Sequence, residues 1–133
     1  MRDIPTILRD TKLWFVVGLL NDPQRASYRV AQVLQANGKT VVPISPRPQT
    51  VLGQLSYPSI AAAAEVFGPP DVVDVFVRSS RAGVVADEAI AAQAGVVWFQ
   101  LGVIDESAAE RVRAAGIDMV MDRCPAIELR ALH

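Results

Sequence analysis

Apolar residues along this chain fall into short continuous runs, separated by stretches in which they recur every three or four positions. Leu13-Trp14-Phe15-Val16-Val17 is a continuous run that ends at Gly18. A run of this kind predicts a strand buried on both faces. Thr40 to Ile44, Val72 to Val77, Val96 to Gln100 and Ile117 to Met121 predict four more. The intervening periodicity is helical. Asp3 to Arg9 predicts a short opening helix with Ile4, Ile7 and Leu8 on one face. Asp22-Pro23 reads as the start of a second helix, which runs through Tyr28, Val30, Ala31, Val33 and Leu34 and stops at Asn37-Gly38. Ser59 is placed to cap a helix over Ala61 to Val66, ended by Gly68 and Pro69-Pro70. Ser79 or Ser80 caps the helix carrying Val84, Val85, Ala89 and Ile90, which Gly95 closes. Asp105 caps the last clear helix, with Ala108, Val112 and Ala115 as apolar positions and Gly116 at its end.

Strands joined by helices of this length need crossover connections, and crossovers make a parallel sheet. The expected fold is therefore α/β: a single Rossmann-like, three-layer domain over residues 1–133, with about five parallel strands and helices on both faces. A length of 133 residues fits one domain with one sizeable core. With 51% hydrophobic and 20% charged residues the chain is not disordered. The net charge of −1 supplies no global field for a nucleic-acid backbone. Cys124, the single cysteine, has no internal partner, which suits a reducing compartment. No apolar run is long enough to span a bilayer, and Met1 to Pro5 holds no signal core. The expectation is a soluble, cytoplasmic protein with no nucleic-acid or membrane partner. A protein partner or a second copy of the chain is compatible with all of this.

Open α/β sheets bind ligands beyond the carboxyl ends of their strands. The loops there are Gly18 to Ser27, Ser45 to Arg47, Arg78 to Ser80, Gln100 to Val103 and Asp122 to Cys124. In the first, backbone amides and a helix dipole suit a pyrophosphate. Gly18 would let the phosphate approach closely, and Arg25 and Ser27 add a charge and a hydroxyl. Gly18-Leu19-Leu20-Asn21-Asp22-Pro23 lacks the G-x-G-x-x-G fingerprint, so a plain strand-to-helix turn is the competing reading. NAD sites place an acid after the second strand, but here stands Ser45-Pro46-Arg47. An arginine favours a nucleotide with an extra ribose phosphate, which both coenzyme A and NADP have. The bland alternative is a solvated loop arginine.

The segments Val17-Gly18-Leu19, Arg25, Ser27-Tyr28-Arg29-Val30-Ala31, Leu52-Gly53, Tyr57-Pro58-Ser59, Val73-Asp74-Val75-Phe76, Val97-Trp98-Phe99-Gln100-Leu101-Gly102 and Met121-Asp122-Arg123-Cys124 resemble the small stand-alone bacterial CoA-binding proteins. Those are similar in fold to the CoA-binding domain of the succinyl-CoA synthetase alpha subunit. The resemblance covers nearly the whole chain. It implies that Gly18, Arg25, Ser27 and Tyr28 surround the CoA phosphates, with Arg47 near the adenosine ribose phosphate; Leu19, Leu20, Arg78 and Gln100, in the loops at the strand ends, complete the set of candidate ligand-binding residues. Leu20 stands where the family often has serine, and Ser45 where it often has asparagine.

Other polar residues carry structural expectations. Asp74 lies inside an apolar strand and needs a partner. Gln100 either reaches a ligand or braces its loop. Cys124 is expected to be buried and inert, since the only histidine is the terminal His133. No residue cluster has metal-ligand spacing, and Glu110 and Arg113 form a surface pair at most. The expected function is a binding module for coenzyme A or an acyl-CoA, with no catalytic constellation visible. The rivals are an NADP-dependent reductase, which would need a proton donor, and an accessory subunit of a larger acyl-CoA enzyme.

Overall fold

A computed structural model describes all residues, Met1–His133. Its elements follow the alternation in the sequence: α1 (Ile4–Asp10), β1 (Leu13–Val17), α2 (Ala26–Ala36), β2 (Thr40–Ile44), β3 (Thr50–Val51), β4 (Gln54–Leu55), α3 (Ile60–Phe67), β5 (Val72–Val75), α4 (Ser79–Ala91), β6 (Val96–Phe99), α5 (Glu106–Ala114), β7 (Asp118–Val120) and α6 (Pro125–Ala131). Five parallel strands form the sheet in the order β2-β1-β5-β6-β7. Strand order reverses between β1 and β5, which makes the gap beyond their carboxyl ends the place for a ligand.

Both faces of the sheet are covered because its strands are apolar on both sides. Trp14, Val16, Val72 and Trp98 point into one core, shared with Ile7 and Leu8 of α1, Val30 and Leu34 of α2, and Leu129 of α6. Phe15, Val73, Val97 and Phe99 point into the other, shared with Ile60 of α3, Ala82, Ala86 and Ala89 of α4, and Ala108 and Val112 of α5. The run of alanines lets α4 and α5 lie close to the sheet. Trp14 and Trp98 tilt against each other at 5.8 Å between ring centroids. No helix is long and apolar enough to cross a membrane.

Three caps form as the side chains dictate. Asp3 accepts from Thr6 N at 2.9 Å, Ser59 from Ala62 N at 3.0 Å, and Asp105 from Ala108 N at 3.0 Å. Elsewhere local signals lose to tertiary contacts. Asp22-Pro23 does not start α2. Asp22 accepts from Gln24 N and Arg25 N in a turn, and the helix begins at Ala26 with no side-chain cap. Neither Ser79 nor Ser80 caps α4. Ser79 instead donates to Gly102 O and accepts from Ile104 N, tying α4 to the loop after β6. Gly95 does not close α4, where Gln93 takes the left-handed position at φ 61°. Gly95 is small for another reason: a Cβ there would lie 3.0 Å from Asp71 O. Arg113 makes no ion pair with Glu110; Arg111 reaches across to Asp87 of α4 at 2.9 Å.

Three elements lie outside the expected set. The two-residue strands β3 and β4 form a hairpin around Leu52 and Gly53. The segment after it runs beside edge strand β2, with Tyr57 N donating to Pro43 O and Ser45 N to Tyr57 O. The edge position is what lets β2 tolerate Pro43. Helix α6 returns the chain to the α1–α2 face, burying Ala126 and Leu129.

Candidate functional site

The carboxyl ends of β1 and β5 lie close together at Gly18. Its φ of 88° belongs to the left-handed region, and a Cβ would stand 2.5 Å from Phe76 O. Only glycine fits there, because the two strand ends approach so closely. Gly18 N donates to Ile44 O and Phe76 N to Val17 O, so the glycine supplies shape and its own amide is occupied.

The amides that follow are not occupied. Those of Leu19 and Leu20, and of Ala26, Ser27 and Tyr28 in the first turn of α2, donate to no protein acceptor. Gly18, Leu20, Arg25, Ala26, Ser27 and Phe76 line one cavity of about 320 Å³. Ser27 is 5% exposed, and its hydroxyl has no protein partner. Arg25 stands at the rim, loosely paired with Asp22 at 3.6 Å, both in solvent. Free N–H groups, a hydroxyl and a guanidinium around one concavity are the chemistry that suits an anion.

The other expected residues are distributed around this centre. The Leu19 side chain is fully buried, so only its backbone can serve a ligand; its carbonyl accepts from Gln49 Nε2 at 3.4 Å. Leu20 is exposed at the rim. Tyr28 leans on the α1–α2–α6 core and does not line the cavity. Arg47 is exposed in its proline-flanked loop, held by its backbone: its N–H donates to Ser45 Oγ, and its carbonyl accepts from Ser56 Oγ at 3.3 Å. Arg78 occupies the position before α4, also exposed. Neither arginine has an acidic partner.

On the far side of Gly18 a second cavity of about 380 Å³ is lined by Ile44, Ser45, Pro46, Ser80 and Arg81, among others. Arg81 is a residue that the loop reading missed. The boundary at Ser80 excluded it by one position, and its direction is set by the first turn of α4. A third cavity of about 290 Å³ opens between the ends of β5 and β6 and is lined by Ala26, Phe76, Gln100, Leu101 and Cys124. Cys124 is half-buried here, not sealed in the core as expected.

Gln100 closes the floor of that third cavity at 4% exposure. Its Nε2 donates to Asp74 Oδ1, and Asp74 Oδ2 has no partner. Burial pushes the Asp74 carboxyl up to about 8, against a smaller lowering from the Gln100 bond. The partner that Asp74 requires is thus Gln100, and the acid is largely neutral at pH 7.

The largest concavity, about 630 Å³, lies between α3 and α4. Its alanine walls are edged by Glu65 and Glu88, which repel anions. Of the cavities at the strand ends, the first, beside Gly18 and Arg25, has no carboxylate in its lining and suits an anion best.

Known proteins resemble this chain along nearly its whole length. The uncharacterized protein YneT of Bacillus subtilis (strain 168) is 34% identical over 122 residues, covering 92% of this chain and 88% of YneT. A hypothetical protein from Pyrococcus horikoshii OT3 superposes with a TM-score of 0.90 at 32% identity, over 98% of this chain and 89% of that one. A Thermus thermophilus structure superposes with a TM-score of 0.91 at 29% identity over the full length of both. Residues 12–130 match the sequence profile of the CoA binding domain, a span that takes in all five parallel strands and every loop around Gly18. The chain belongs to the CoA-binding domain family.

Proposed function

We propose that this chain binds coenzyme A, free or acylated, at the carboxyl end of its sheet, as a binding module without catalysis of its own. The observation that carries this is the ring of unpartnered donors around the first cavity: the Leu20, Ala26 and Ser27 amides and the Ser27 hydroxyl. A pyrophosphate there accepts from those amides and pairs with Arg25. Gly18 and Leu19 shape the loop, and Tyr28 supports its helix. Arg47 and Arg78 are free cations for the adenosine ribose phosphate, with Arg47 on the β2 side. Gln100 faces the arm of the ligand in the third cavity. The non-catalytic reading rests on the placement of the acid–base groups. His133, the one histidine, meets Asn37 Oδ1 at 3.2 Å at the opposite end of the sheet. Asp74 lies behind Gln100, out of a ligand's reach.

Melting curves test the reading directly. CoA at about 100 times its dissociation constant adds about 2.7 kcal/mol. For a domain of this size that raises the midpoint by roughly 8–14 °C. NAD at the same concentration should raise it far less. A shift with NADP and none with CoA replaces the proposal with a reductase reading.

A further inference from the structure

We propose that the α3–α4 face seats a second copy of this chain, with the two α4 helices packed antiparallel about a two-fold axis beside Val84. This goes beyond the CoA reading and does not depend on it. Arg81, Val84, Glu88 and Ala91 recur along α4 at intervals of three and four, so they form one stripe, and all four are exposed. Val84 is 64% exposed, more than any other large apolar side chain except Met1. One flank of the stripe is already taken, since Asp87 pairs with Arg111 of α5 at 2.9 Å. On the other flank lies the concavity between α3 and α4, walled by Ala61, Ala64 and Ala91 and edged by Glu65 and Glu88. Side chains this small let another helix approach closely. Neither glutamate makes an ion pair within the chain, and neither does Arg81.

The charge pattern identifies the occupant. An acidic, alanine-walled groove calls for a helix that brings a cation beside an apolar side chain, and α4 itself carries that pattern. Arg81 and Glu88 lie seven residues apart, about 10 Å along a helix that rises about 1.5 Å per residue, with Val84 between them. A two-fold axis at their midpoint lays the partner subunit's Arg81 against Glu88 and Glu65, and the reverse. Each groove then receives one guanidinium beside two carboxylates, and the two Val84 side chains meet at the axis. Exposed ion pairs are worth little by themselves, so apolar contact supplies the attraction and the charges fix direction and register. The interface is isologous and closes at two copies. It lies over the Arg81, Val84 and Glu88 wall of the second cavity. The phosphate cavity shares no residue with the stripe and stays open.

Sedimentation velocity of the full chain over a concentration series tests this. The wild type is expected to reach the mass of two chains as concentration rises. Arg81→Glu alone, or Glu88→Arg alone, sets like charges against each other and should weaken self-association by about tenfold or more. Mixing those two variants restores opposite charges at both contacts, so a heterodimer should form where each variant alone stays monomeric. Val84→Ser removes the apolar contact without changing charge and should also weaken the dimer. A wild type that keeps the mass of one chain at every concentration overturns the proposal and gives the face to a different protein. A dimer that survives all three variants overturns it too, as do single variants that fail to associate when mixed.

Discussion

Asp71 stands just before β5 and Asp74 near its carboxyl end, three residues on, and they live in opposite circumstances. Asp71 Oδ2 accepts from Lys12 N at 2.8 Å and Leu13 N at 2.9 Å, fastening the start of β1 to the start of β5. Its neighbours are similarly occupied. Arg2 pairs with Asp118 at 2.7 Å, Trp14 Nε1 donates to Thr11 Oγ1 at 3.1 Å, and Lys39 Nζ donates to Leu8 O and Thr11 O. Around Asp74 the inventory is incomplete. One of its oxygens has no partner, the Ser27 hydroxyl and several loop amides are free, and Arg47, Arg78 and Arg81 make no ion pair. The amino end of the sheet is finished by contacts within the chain, while the carboxyl end keeps several donors that no protein group occupies. Departures from polar satisfaction concentrate where a ligand is expected.

The largest effect should come from pH. The native state holds the Asp74 proton up to about pH 8, whereas an unfolded carboxyl releases it near the ordinary 3.8. Between those values the native state binds more protons, so stability falls as pH rises. The loss is on the order of several kcal/mol. Asp74→Asn should remove that slope and leave the variant more stable than wild type near the upper end of the window. Urea midpoints at several pH values decide it, and parallel profiles for the two proteins would mean that Asp74 is not the orphan described.

Gly18→Ala comes next. It forces a side chain into the left-handed region and against Phe76 O, and it should cost about 3 kcal/mol or more. Denaturant unfolding measures this. A near-neutral result would show that β1 and β5 can part at the site without harm.

At the finished end, Asp71→Ala strips two backbone amides of a charged acceptor and should cost about 2–3 kcal/mol. Calorimetry on the folded variant should find CoA affinity unchanged. A large affinity loss would mean that the two ends are coupled and the contrast is too simple.

Arg47→Ala should leave the fold almost untouched, within about 0.5 kcal/mol, since the side chain pairs with nothing in the protein. Its effect belongs to binding. A charge-assisted bond to the 3′-phosphate is worth about 1.5–3 kcal/mol, so CoA should bind roughly 10- to 150-fold more weakly. Dephospho-CoA should bind wild type and variant alike. If the variant still discriminates between the two ligands, Arg78 or Arg81 holds the phosphate instead.

The alternation of elements was legible because burial on both faces leaves strands with no polar positions, and amphipathic helices cannot hide their period. Ser59 and Asp105 were legible as caps because the bond that each makes lies within its own turn. The first loop was legible by its glycine and by position after β1. Helix α6 was not, since it spans only Pro125–Ala131 and Cys124 offers no cap bond. Nor was the β3–β4 hairpin, with two residues per strand.

Local chemistry in the sequence determined the five strands of the sheet and the helices between them, that these strands must run parallel, and which loops gather at the sheet's carboxyl end. Tertiary structure decided what each polar side chain meets there. Asp22 was expected to start a helix, but a turn claimed it; Ser79 was drawn to the loop after β6; Asp74 found Gln100, 26 positions away. Those outcomes depend on distances between segments far apart in the chain, which no local pattern encodes. Which arginines stay free, and whether Cys124 is sealed or open, follow from the same cause.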